Sequence, residues 1–132
     1  MKWGLKDKKK YSLTRFINSF KYAFNGIKTS FKTEQNLIIH LIGLIINLIL
    51  IFVLKLSTIE ICIIILLITL VISLELVNTA IENVVNLAMP NIHPLAKISK
   101  DTASGAVLIC CIGSIIIGII IYVPKIVELF NS

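Results

Sequence analysis

The chain has 132 residues, 57% of them hydrophobic and only 15% charged, with a mean hydropathy of +0.95. A soluble domain usually carries about a quarter charged residues, and here the apolar excess is gathered into long runs that a water-exposed surface could not hide. An ordinary globular enzyme, a disordered tail and a disulfide scaffold are thereby excluded, and the net charge of +6 has to be read by where its residues lie.

Residues 1–11 (MKWGLKDKKKY) are basic and form a solvated tail, with no apolar stretch directly behind them that would make a cleaved signal peptide. Over 12–33, Leu13, Phe16, Ile17, Phe20, Phe24, Ile27 and Phe31 recur at helical spacing, while Arg15, Asn18, Asn25, Lys28 and Lys32 occupy much of the remaining circumference. This pattern predicts an amphipathic helix at the membrane–water interface, its lysines meeting anionic head groups, with Ser12 as N-cap. Three membrane-spanning helices follow, over 36–55, 59–86 and 104–123, each close to or above the ~20 residues a span requires. The first two are joined by a tight turn at 55–58 and form an antiparallel hairpin. Between the second and third, residues 86–104 carry Pro90 and Pro94 and are expected as a polar loop.

Nine of the 13 lysines and arginines precede the first span, and Lys97 and Lys100 lie in the 86–104 segment. The positive-inside rule therefore puts the N-terminus and that segment in the cytoplasm. Cys62, Cys110 and Cys111 lie within apolar runs without a CxxC pair and are expected as small buried hydrophobes. Gly113 and Gly118 have P-loop spacing, but Ile119 and Ile120 follow them. Ser114 and Gly118 fit a helix-contact face better.

Ionisable residues inside spans are expensive and point to function. Glu75, Asn78 and Glu82 stand at i, i+3 and i+7, on one face of the second span, with Glu75 about 10 Å deeper than Glu82. Glu82 and Glu34 lie at the same interface, where two carboxylates repel unless a cation intervenes. Hard oxygen ligands of this kind suit magnesium that keeps its waters and takes phosphate oxygens. Lys100 would meet the same phosphates, and the deeper, partly desolvated Glu75 suits a general base. Singly, each has a plainer reading: Glu34 and Glu82 as solvated or lysine-paired carboxylates, Asn78 as interhelical glue, His40 with Asn36 and Asn47 as a packing stripe. The set carries the functional reading. Two other classes compete with it: a proton-coupled transporter subunit, which also needs an intramembrane carboxylate, and a structural membrane protein, which leaves Glu75 and Asn78 without purpose.

The stretch ELVNTAIENVVNL from Glu75, followed by KDTASGAV from Lys100, resembles the small bacterial diacylglycerol kinase/undecaprenol kinase family over about residues 13–125. The resemblance implies an all-α homotrimer of three-span protomers, each with an amphipathic surface helix, using ATP and Mg2+ as a lipid kinase. It makes Glu75 the catalytic base with Asn78 its polar companion, Glu34 and Glu82 the metal ligands, and Lys100 and Asp101 the nucleotide-binding pair. Arg15, Tyr22 and His93 match more variable ATP contacts, and Ser104 and His40 fall on the lipid side. Asn86 stands where the family often has aspartate. The segments EQNLIIH (34–40), HPLAK (93–97) and YVPK (122–125) resemble the Gram-positive branch, which implies undecaprenol as acceptor, with diacylglycerol as the alternative. No nucleic-acid partner is expected.

Overall fold

The computed structural model describes residues 12–131, so the basic tail expected at 1–11 lies outside the described residues. These residues form four α-helices: α1 (Leu13–Thr33), α2 (Gln35–Val53), α3 (Thr58–Ala88) and α4 (Pro94–Asn131). The last three are each long and apolar enough to cross a membrane. Ser12 sits at the N-cap of α1 with extended backbone, but its hydroxyl makes no capping hydrogen bond. Within α1, Leu13, Phe16, Ile17, Phe20 and Phe24 are exposed, and the rings of Phe16 and Phe20 meet edge to face at 5.1 Å.

Two helix boundaries differ from expectation. The segment 86–104 is mostly helical: α3 runs on to Ala88 and α4 already begins at Pro94, leaving 89–93 as the connection. Proline is well suited to a first helical turn, because its missing N–H is one that a helix start leaves unpaired anyway. At the other end α4 continues through Pro124 to Asn131. One lost backbone bond is cheaper there than ending the helix in an apolar setting with four carbonyls unpaired. At 1.5 Å per residue α3 is about 46 Å long and α4 about 57 Å, against a hydrocarbon core of about 30 Å. Both helices therefore carry polar extensions beyond the apolar slab.

The hairpin turn between α2 and α3 is firmly specified. Lys55 adopts a left-handed conformation (φ 49°). Ser57 caps α3, its Oγ accepting from the Glu60 N–H while the Glu60 carboxylate accepts from the Ser57 N–H at 2.7 Å. Such a reciprocal cap satisfies two otherwise unpaired donors. Ile51, Leu54, Leu56, Ile64 and Ile121 bury a compact apolar cluster behind this turn, with Tyr122 packed against it. Lys125 of α4 approaches Glu60 at 3.9 Å.

Helix α3 is central: it packs along α4 and against α2, and also touches α1. Among the described residues, α2 and α4 nowhere bring their backbones within 8 Å of each other. A single side-chain contact crosses between them, the Tyr122 hydroxyl donating to Asn47 Oδ1 at 2.6 Å. The cysteines are free, but Cys62 is exposed and Cys110 and Cys111 are only half-buried, which corrects the expectation of burial. A membrane solvates a thiol's apolar surroundings as well as a protein core does, so an apolar run does not imply burial in protein.

Candidate active site

The buried residues of α3 are Ile64, Val71, Glu75, Asn78 and Thr79, which the 3.6-residue repeat places on one stripe. The stripe changes character along its length. Near the hairpin it is aliphatic; toward the α1 end it becomes Glu75, Asn78, Thr79, Glu82 and then Asn86. A hydrocarbon core of about 30 Å that starts at the hairpin turn ends about 20 residues along α3, near Asn78. Counted back along α2, the same depth falls near Glu34. Glu75 thus lies about one turn inside the core.

Glu75 is 2% exposed, and no side chain among the described residues donates a hydrogen bond to its carboxylate. Asn78 is buried too, and its Oδ1 has no hydrogen-bond partner. The Thr79 hydroxyl is engaged by its own helix, donating to the Glu75 carbonyl at 3.0 Å. A buried carboxylate next to an unpaired amide oxygen is costly, and it contributes nothing to packing that a leucine would not supply better. The pair is placed to receive a proton and to position a polar group.

The expected ligands surround this pair unevenly. Glu34 is the single residue between α1 and α2, half-buried, its N–H donating to the Ser30 carbonyl at 2.9 Å and its side chain capping neither helix. Its carboxylate stands at the N-terminus of α2, where the helix dipole favours negative charge. Glu82, one to two turns beyond Asn78, is also half-buried. No group of three or more His, Cys, Asp or Glu able to hold a metal ion occurs among the described residues. One or two carboxylates completed by substrate phosphates and waters is the donor set magnesium usually takes.

Lys100, half-buried on α4, donates to Asn86 Oδ1 at 3.3 Å, tying the two long helices together across their connection. Asp101 turns the other way and pairs with Lys97 at 3.4 Å on the surface. His93 precedes α4, and its Nδ1 accepts from the Leu95 N–H at 3.2 Å. His93, Lys97, Lys100, Asp101 and Asn86 line a cavity of about 350 Å³. Glu34, Glu82, Arg15 and Tyr22 do not line it, and the last two are exposed on α1. Ser104 is exposed as well. His40 is half-buried and lines a larger cavity of about 640 Å³ between α2 and α4.

Three features had escaped the sequence. The anchoring of Lys100 by Asn86 and the Tyr122–Asn47 bridge join residues far apart in the chain, and no local pattern announces them. The Ser57–Glu60 cap was legible as S-x-x-E immediately before an apolar run.

The chain matches the family model described as prokaryotic diacylglycerol kinase over residues 21–122. It is 47% identical to undecaprenol kinase of Bacillus subtilis over 113 residues, covering 86% of this chain and 92% of that protein. It is 38% identical to a diacylglycerol kinase of Synechocystis, covering 84% of this chain and 64% of the relative. A diacylglycerol kinase of Haemophilus influenzae is also 38% identical, over 83% of this chain and 94% of its own length.

Proposed function

The chain belongs to the prokaryotic diacylglycerol kinase family and is a multi-pass membrane lipid kinase, and on that premise we propose that it transfers the γ-phosphoryl group of ATP to the hydroxyl of undecaprenol. The observation that carries the mechanism is Glu75, a carboxylate 2% exposed and without a donor, one turn inside the apolar slab. In this reading the lipid hydroxyl arrives from the bilayer and gives its proton to Glu75 as its oxygen bonds to Pγ. The bond from Pγ to the bridging oxygen breaks and ADP leaves toward water. Asn78, with its free Oδ1, orients the hydroxyl. Lys100, held by Asn86, meets the phosphate charge, and His93 and Asp101 bound the nucleotide side.

Magnesium would be held by Glu34 and Glu82 and would neutralise charge on the phosphates. Positioning and electrostatics supply most of the acceleration in such transfers. The lysine-rich N-terminus and the 89–93 connection lie in the cytoplasm, and α1 lies on the membrane surface, its exposed phenylalanines in the lipid and its lysines at the head groups. The protomer assembles as a homotrimer, in keeping with spans whose most apolar windows bury only 11–17% of their residues within one chain.

Undecaprenol is favoured because the relative so named is the more similar of the three by a clear margin, 47% against 38%. The two diacylglycerol kinases keep diacylglycerol as the second reading. Turnover in mixed micelles with each alcohol decides between them: the expected result is phosphorylation of undecaprenol at higher kcat/KM. Preference for diacylglycerol would reverse the acceptor assignment, and inactivity with both would remove it.

A further inference from the structure

Helices α2 and α4 both pack on α3 without approaching each other, which leaves a groove of about 640 Å³ floored by α3. Small residues on its two walls make the room: Gly43 on α2, Ser114 and Gly118 on α4. Within the chain, Ser114 and Gly118 therefore serve no helix contact of the kind their spacing suggested. The polar groups along the groove are already engaged. Asn47 Nδ2 donates to the Gly43 carbonyl at 2.8 Å, Ser114 Oγ to the Cys110 carbonyl at 2.8 Å, and Tyr122 Oη to Asn47. What remains facing the space is hydrocarbon, with His40 at the α1 end. That end reaches Val71 and Cys111. Val71 is one turn from Glu75, and Cys111 is near enough to Glu75 for the two to interact electrostatically. At the other end the groove runs into Tyr122, which belongs both to its wall and to the packing around the hairpin cluster.

We propose that this groove receives the first part of the acceptor's hydrocarbon chain, and that the Tyr122–Asn47 bridge marks where the chain must turn out into the bilayer. The inference rests on the lipid kinase reading with Glu75 at the hydroxyl, and it adds a specificity determinant to that site. The occupant is a lipid chain rather than a helix of a second copy on grounds of size. A helix is about 10 Å across, so a segment as long as the groove, about 16 Å, would fill on the order of 1,200 Å³. The observed space suits a small ligand, for which about 300–1,000 Å³ is usual. Because the chain leaves one hydrocarbon medium for another, the groove selects by fit rather than by hydrophobic transfer. Selectivity should therefore rise with chain length only until the groove is full.

The test is a series of polyprenols of increasing length, each measured at saturating MgATP in mixed micelles. For the wild type, kcat/KM is expected to rise over the first isoprene units and then level off. Gly43→Leu should fill the groove: a Cβ there meets nothing within 4 Å, and replacing a helical glycine favours the helix. It should erase the rise, costing long acceptors roughly tenfold relative to short ones, the lower end of what a mismatch in a fitted apolar pocket is worth. KM for MgATP should not change. Ser114→Leu fills the same space from the opposite wall and should act alike. Gly113→Leu, on α4 but off the groove, should retain the wild-type profile. Tyr122→Ala should move the plateau to longer chains. An unchanged length profile in Gly43→Leu and Ser114→Leu would overturn the proposal. So would loss of the oligomer in both, which would assign the groove to a second copy. A wild type that uses diacylglycerol but no polyprenol overturns the acceptor reading alone, and the same variants then decide the groove with an acyl-chain series.

Discussion

At the hairpin end of the bundle the polar side chains have partners within the chain. Ser57 and Glu60 cap each other's backbone, Lys125 approaches Glu60, and Tyr122 bonds to Asn47 beside an apolar cluster. Toward the α1 end, α3 buries Glu75 and Asn78, and neither the carboxylate nor the amide oxygen has a donor. Both arrangements lie on one helix, roughly four turns apart. The difference teaches where this chain is built to hold and where it is built to act. A carboxylate buried without a partner weakens the fold, and its presence only makes sense if a substrate supplies what the chain withholds.

The contrast can be broken first at Glu75. Glu75→Gln keeps the shape but removes the base, and kcat should fall about 100- to 10,000-fold, the usual range for a general base, with KM for MgATP little altered. A normal kcat would make Glu75 a structural residue after all. Next in size is Glu82→Gln, which should cost about tenfold or more in turnover at limiting magnesium, with part of it recovered as magnesium is raised. Titrating magnesium at fixed ATP checks this, and an unchanged dependence makes Glu82 a bystander. A smaller effect is expected from Asn86→Ala, which frees Lys100. KM for ATP should rise several-fold with kcat nearly constant, since a net hydrogen bond to a charged group is worth about 1.5–3 kcal/mol at most and this one is near the surface. The smallest effect belongs to the hairpin end. Ser57→Ala should lower stability to unfolding by about 1 kcal/mol and leave kcat untouched. A catalytic defect there would show that the two ends are not independent.

Much of this organisation could be read in the sequence. The 3.6-residue repeat put Glu75, Asn78 and Glu82 on one face, and uninterrupted apolar runs marked three helices of spanning length. What could not be read depended on partners distant in the chain or on the medium. Pro94 and Pro124 suggested breaks, yet one begins α4 and the other lies within it, because a helix start tolerates proline and an apolar setting penalises ending a helix. Lys100 and Asp101 are neighbours in sequence, but one turns to Asn86 and the other to Lys97. Adjacent helical positions point about 100° apart, so a dipeptide motif does not make a joint site. Tyr122 and Asn47 lie 75 residues apart and meet only because α3 holds α2 and α4 at a fixed separation.

The central claim is that Glu75 is kept at the expense of stability for the sake of proton transfer. Glu75→Leu, measured in parallel for unfolding in micelles and for phosphorylation of undecaprenol, tests it directly. An apolar replacement should match or exceed the wild type in stability, by up to about 1–4 kcal/mol as seen when buried charges give way to packed hydrophobes, while activity is abolished. A Glu75→Leu protein that is less stable than the wild type and retains turnover would contradict the account.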